Sequence, residues 1–168
     1  MMRGSSGTGA AASCTGALFF LAAGRAFGGA LFDVTGATTP VWEQVGLSSH
    51  WHSSVLVNGY LYGPDGNNSE GAGRSPTSLR CLDWKTGEIK WTEPKLEFNG
   101  LISVGGKLLV LTEKGDLVLA EASPNGYKEL GSAHVIEFRA FTAPVFANGR
   151  AYVRNTVGDV VAVDMTGK

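Results

Sequence analysis

Cysteine, charge and long apolar runs are all scarce in this chain of 168 residues, and each scarcity removes a class of protein. Two cysteines far apart, Cys14 and Cys81, make neither a disulfide framework nor a four-ligand zinc site. Charged residues are 17% of the chain and the net charge is -1, so no basic footprint for a nucleic acid exists. The strongest apolar run, Ala17–Ala23, falls far short of the roughly 20 residues a spanning helix needs, and no membrane span is expected. Amphipathic helical periodicity is missing, and so is a Gly-x-Ser-x-Gly nucleophile elbow.

The N-terminus imitates two signals without completing either. Met1-Met2-Arg3 before the uncharged stretch Gly4–Gly24 has the outline of a secretory leader, but Arg25 stands where small residues are wanted at a cleavage site. Gly7-Thr8-Gly9-Ala10-Ala11-Ala12 with a later Asp33 imitates a dinucleotide fingerprint, yet no apolar strand precedes Gly7. Residues 1–16 are therefore read as a flexible Gly/Ser/Ala-rich segment and Leu18–Leu21 as a buried strand.

Glycine is abundant, with 24 residues, about twice the usual share, which suits a turn-rich all-β protein. The turns recur. Val55–Tyr62, Leu101–Val110 and Pro144–Val153 each place Asn-Gly or Gly-Gly between two short apolar runs. Those dipeptides tolerate the positive φ of type I′ hairpins. The turns Asn58-Gly59, Gly105-Gly106 and Asn148-Gly149 lie 47 and then 43 residues apart. Each hairpin is followed by another strand, a second turn and a further strand, with a fainter copy around Gly29–Gly36. Four short strands per period of about 40–47 residues describe a β-propeller blade. The expected fold is all-β: four-stranded antiparallel blades near 17–45, 53–92, 99–133 and 141–168, three to four blades in all.

The second turn carries a family likeness. Cys81-Leu82-Asp83-Trp84-Lys85-Thr86-Gly87-Glu88-Ile89-Lys90-Trp91 resembles the tryptophan-docking motif Ala-x-Asp-x-x-Thr-Gly-x-x-x-Trp of the pyrroloquinoline-quinone (PQQ)-like propeller repeats, with Cys81 in place of Ala. Asp83 and Thr86 suit a tight turn, Gly87 supplies unusual φ, and Trp91 has a large ring to bury against the neighbouring blade. The other copies depart: the turn before Gly167 is one residue shorter, that after Glu121 one longer, and Leu130 stands where Trp is expected. The wording of His50–Gly63 is also similar to PQQ-binding-like repeat proteins of the outer-membrane assembly type. The resemblance implies a propeller of about seven or eight blades, of which this chain supplies a part. Its partners are then the remaining blades or another protein chain.

The resemblance also implies what a quinoprotein dehydrogenase would show: a Trp stacked on the cofactor, a disulfide between adjacent cysteines, and a calcium site of Glu, Asn and Asp. No Cys-Cys pair occurs, so no cofactor is expected, with PQQ and calcium kept as the minority reading. His50, Trp51 and His52 form the most unusual cluster; alternate residues on a strand share a face, but a third metal ligand is missing nearby. Ligand or partner contact is preferred there to metal. The long loop Gly63–Ser78 carries Arg74 as a weak contact candidate, and Asp65, Asn67 and Ser69 imitate the start of a calcium loop without its later Gly and Glu. No catalytic residue is assigned. The functional expectation is a non-catalytic interaction or scaffolding module of the periplasm or cell exterior, with a quinoprotein oxidoreductase fragment or a small-ligand binder as alternatives.

Overall fold

The computed structural model describes residues 10–15, 18–23, 28–36, 39–48, 52–66, 77–94, 96–137, 139–140 and 142–167. These residues form fifteen strands in four antiparallel sheets. The first sheet holds β1 (Ala10–Thr15), β2 (Leu18–Ala23), β3 (Gly28–Asp33) and β4 (Trp42–Gln44). The second holds β5 (Val55–Val57), β6 (Tyr60–Asp65), β7 (Ser78–Asp83) and β8 (Ile89–Glu93). The third holds β9 (Phe98–Val104), β10 (Lys107–Thr112), β11 (Asp116–Glu121) and β12 (Glu129–His134). The fourth holds β13 (Val145–Ala147), β14 (Arg150–Arg154) and β15 (Val160–Asp164). In every sheet chain order equals spatial order, which is the meander of a propeller blade.

The hairpins form because their turn residues accept left-handed backbone. Asn58 and Gly59 have φ of 50° and 81°, and Asn148 and Gly149 have 51° and 73°, the positive pair a type I′ turn requires. Such turns match the twist of the strands and set their register, Val57 opposite Tyr60 and Ala147 opposite Arg150.

Two expectations are corrected. The segment read as flexible carries β1, whose residues pair with β2 from Ala10 opposite Ala23 to Thr15 opposite Leu18. The ladder needs only main-chain donors and acceptors, so small residues that promise little packing still make a strand beside an open edge. In the long loop, β6 runs on through Gly63 and Pro64 to Asp65, opposite Arg80, Leu79 and Ser78. The loop beyond it, at 67–76, lies outside the described residues, and so do Asn67, Ser69 and Arg74.

The core lies between sheets. Phe20, Leu31 and Trp42 of the first sheet pack with Leu61 and Leu82 of the second. Tyr62, Leu79 and Cys81 of the second pack with Leu108, Val110 and Val118 of the third. Leu109, Leu111 and Leu117 of the third pack with Ala151 and Val153 of the fourth. In the second and third sheets, alternation along a strand therefore sends successive residues to different neighbouring sheets. Leu108 is fully buried between the second and third sheets. Leu108→Ala is expected to lower unfolding free energy by about 2–5 kcal/mol in urea titration, with the cavity adding to the lost transfer energy.

Candidate functional site

The sequence motif sits at the turn between β7 and β8. Asp83 Oδ1 accepts hydrogen bonds from the amides of Lys85 at 2.9 Å and Thr86 at 3.0 Å, and the Gly87 amide donates to the Asp83 carbonyl at 2.9 Å. The Trp84 amide closes the corner by donating to the Gly59 carbonyl at 3.0 Å. The fourth sheet repeats this bond, the Met165 amide donating to the Gly149 carbonyl at 2.9 Å. Asp33 and Asp164 bind Thr35 and Thr166 in the same manner. The threonine hydroxyls, then the threonine amides, hold both carboxyls below the usual carboxylate range.

Tryptophans join one sheet to the next across these turns. Trp91 of β8 donates its indole N–H to the Ser123 carbonyl of the third sheet at 2.8 Å and stands edge-on to Tyr127, ring centroids 6.1 Å apart. Trp42 of β4 does the same one sheet earlier, donating to the Trp84 carbonyl at 2.9 Å. Its ring lies so close over Gly87 (φ 72°) that a β-carbon there would stand 2.7 Å from it. Register fixes the equivalence: Trp42 is opposite Leu31 as Trp91 is opposite Cys81. In the third sheet that register position belongs to Gly131, opposite Leu119, and not to Leu130. Both sheets carry a bulge at this point, after Cys81 and after Leu119, so the displacement comes from the turn: the Asp83 amide bonds the Glu88 carbonyl, whereas the Glu121 amide bonds the Lys128 carbonyl, two residues further along.

Cys81 is a free, buried cysteine whose thiol is pushed up to about 11, chiefly by burial, so it is no thiolate nucleophile at neutral pH. Asp65 is taken by structure: one carboxylate oxygen meets Arg80 at 2.9 Å and the other accepts from the Ser48 amide at 2.9 Å. His50 and Trp51 lie outside the described residues. His52 is buried, not presented for surface capture. Burial pulls its pKa down to about 4 against the opposing effects of Asn99 and Glu113, themselves buried in the third sheet.

Two polar groupings escaped the sequence reading. One is this His52–Asn99–Glu113 set, assembled from two sheets and signalled only by an amide inside an apolar strand. The other is His134, whose Nδ1 lies 2.9 Å from Asp116 and Nε2 3.3 Å from Glu137. The Asp116 hydrogen bond is the main cause that raises its pKa. Strand pairing explains the contact, since Asp116 is opposite His134. The pair borders an open cleft of about 300 Å³ with Glu97, Lys114 and Glu129. Among the described residues, no group of three or more His, Cys, Asp and Glu could hold a metal ion, and no helix is long and apolar enough to cross a membrane.

Four meandering sheets packed face to face, with Trp42 and Trp91 joining the first three, define a partial β-propeller. Solved structures bear this likeness. BamB from Moraxella catarrhalis matches with a TM-score of 0.72 at 15% identity, over 94% of this chain and 44% of its own. The computationally designed Ika4 protein matches at 0.68 and 10% identity, over 98% of this chain and 96% of its own. A quinohemoprotein alcohol dehydrogenase from Pseudomonas putida HK5 matches at 0.54 and 17% identity, over 68% of this chain and 19% of its own. The chain thus spans less than half the length of BamB, and at these identities the likeness is one of fold. No family model and no curated protein matches the sequence.

Two outcomes follow. Gly87→Ala is expected to destabilise the protein by more than the roughly 1 kcal/mol of backbone strain, because the methyl also displaces the Trp42 ring; thermal unfolding checks this. His52 supplies a pH dependence. Its folded value lies below the ordinary 6.5, so the unfolded chain binds the proton more readily. Stability is complete above about pH 6.5 and falls as pH drops toward 4, by about 3 kcal/mol in all. His52→Asn removes this fall, as urea midpoints between pH 4 and 7 would record.

Proposed function

We propose that this chain is a non-catalytic β-propeller module for protein interaction or scaffolding in the cell envelope. One observation carries the reading: exposed large hydrophobic residues gather on the outermost sheets. Val34, Val41 and Val45 flank the first sheet, and Val145, Phe146, Val157 and Val160 lie on or beside the fourth, with Leu130 on the third. Uncovered apolar side chains on these sheets favour contact with another protein surface. The groups that would do chemistry serve packing instead: Cys81 is buried, Asp83 holds a turn, and Trp42 and Trp91 dock neighbouring sheets. The likeness to BamB, an outer-membrane assembly propeller, supports the envelope setting.

The second reading, a fragment of a quinoprotein oxidoreductase, draws on the alcohol dehydrogenase likeness. The residues present do not fit that cofactor. Adjacent cysteines are missing from the sequence, and Trp42, Trp84 and Trp91 are engaged between sheets. Titration of the 168-residue chain with PQQ and calcium is expected to give no saturable binding and no new absorbance band. A saturable band would overturn the interaction-module reading in favour of the enzyme.

A further inference from the structure

The seam between the third and fourth sheets is joined differently from the other two. Gly131 stands at the register position from which Trp42 and Trp91 dock the earlier sheets. A strap takes over, the stretch that follows β12, of which 135–137 and 139–140 are described. Its Ile136 and Ala140 are buried in the cluster that Leu109 and Leu111 of the third sheet share with Ala151 and Val153 of the fourth. Its main chain is tied on both sides. The Val135 and Ile136 amides donate to the Gly115 carbonyl of the β10–β11 turn at 3.0 and 3.3 Å. Buried Asn155, in the β14–β15 turn, donates its side-chain amide to the Glu137 carbonyl at 3.0 Å, and the Thr156 amide donates to the Arg139 carbonyl at 2.8 Å.

Glu137 therefore belongs to both sheets: its carbonyl is bound to the fourth, and its carboxylate reaches the third at His134. The His134 ring lies between two carboxylates, Nδ1 at 2.9 Å from Asp116 and Nε2 at 3.3 Å from Glu137. A neutral imidazole has one N–H and one lone pair, so it donates to one carboxylate and turns its lone pair on the other. Only the imidazolium donates to both. Strand pairing fixes the Asp116 side, because Asp116 is opposite His134 and its amide donates to the Thr112 hydroxyl at 3.0 Å. Glu137 is the looser partner, its side chain 81% exposed.

The neighbouring charges have partners of their own. Lys114, which borders the same cleft, is paired with Glu97 at 2.8 Å, and Glu129 accepts from the Ser132 hydroxyl at 2.6 Å. Glu113, of the same turn as Lys114, is buried and acts on His52. On the fourth-sheet side Asp159 accepts from Asn155 at 2.7 Å. The Asp116 hydrogen bond first, with the Glu137 charge beside it, holds the His134 pKa above the ordinary 6.5.

We propose that His134 is a proton-operated latch on the seam between the third and fourth sheets: its imidazolium ties Glu137 to Asp116, and its neutral ring lets Glu137 go and loosens the strap. Because the folded value lies above the unfolded 6.5, the latch is complete below about pH 6.5 and is lost as pH rises through the raised value. His52 acts on the acid side of 6.5, so the two histidines work in separate windows. The fourth sheet carries exposed Val145, Phe146 and Val160, and the latch sets how firmly that surface is held. The latch does not rest on the interaction-module reading, and either can fall without the other.

Nuclear magnetic resonance on the 168-residue chain between about pH 5.5 and 8 tests this. The His134 ring, assigned by its loss in His134→Gln, is expected to titrate above 6.5. Exchange protection of the Val135 and Ile136 amides, corrected for intrinsic exchange, is expected to fall about threefold through the same midpoint. His134→Gln keeps that protection at its high-pH level throughout. Glu137→Gln alters an exposed side chain outside the core, lowers the His134 midpoint by about 0.3 in pH, and flattens the change in protection. A His134 midpoint at or below 6.5 overturns the latch, as does protection that ignores the titration or a Glu137→Gln chain that behaves as the parent.

Discussion

The fold depends on burying sheet faces against neighbouring sheets: the second and third sheets are covered on both faces, the first and fourth on the one that meets its neighbour. Among the described residues no helix is at hand to cover a face, and the neighbouring sheet does it. Three apolar seams result, and each uses alternate residues of the same strands: Leu61 and Leu82 face one way, Tyr62 and Cys81 the other. A strand used on both faces reads as a continuous apolar run rather than an alternation of apolar and polar residues. That is how Leu108–Leu111 reads, with all four residues buried.

Directional contacts sharpen two of these seams. Trp42 and Trp91 each add one indole hydrogen bond and a large ring to the apolar contact, and each lands on the turn of the next sheet. The Asp and Thr side chains that tie down those turns thus act at a distance: they hold the platform on which the previous sheet docks. The third seam has Gly131 at the docking position and relies on aliphatic packing of Leu109, Leu111 and Val153. The fourth sheet is the most exposed, with β13 uncovered along its length and β15 alternating between exposed and half-buried residues. The described residues thus grade from seams stapled by tryptophan to a fourth sheet that is largely bare.

Repeat spacing and turn dipeptides made most of this architecture legible, because type I′ hairpins depend on two adjacent residues and on nothing remote. The docking motif around Asp83 was legible for the same reason. Three things were not. The strand Ala10–Thr15 has no apolar pattern of its own and exists through main-chain pairing with Leu18–Ala23. The docking position in the third sheet falls on Gly131 and not on Leu130, because the turn after Glu121 closes on Lys128, two residues further than the turn from Asp83 to Glu88. The burial of His52 beside Asn99 and Glu113 joins residues that no local spacing connects.

The sequence by itself determined that the chain is all-β, where its hairpins turn, and that it repeats a blade-sized unit, since these follow from local backbone preference and periodicity. Only the tertiary structure decided which face of each sheet meets which neighbour, which indole reaches which carbonyl, and which apolar rows remain bare. Those are outcomes of register and of packing between residues far apart in the chain, and a one-residue shift in either would send a different set of side chains to the surface.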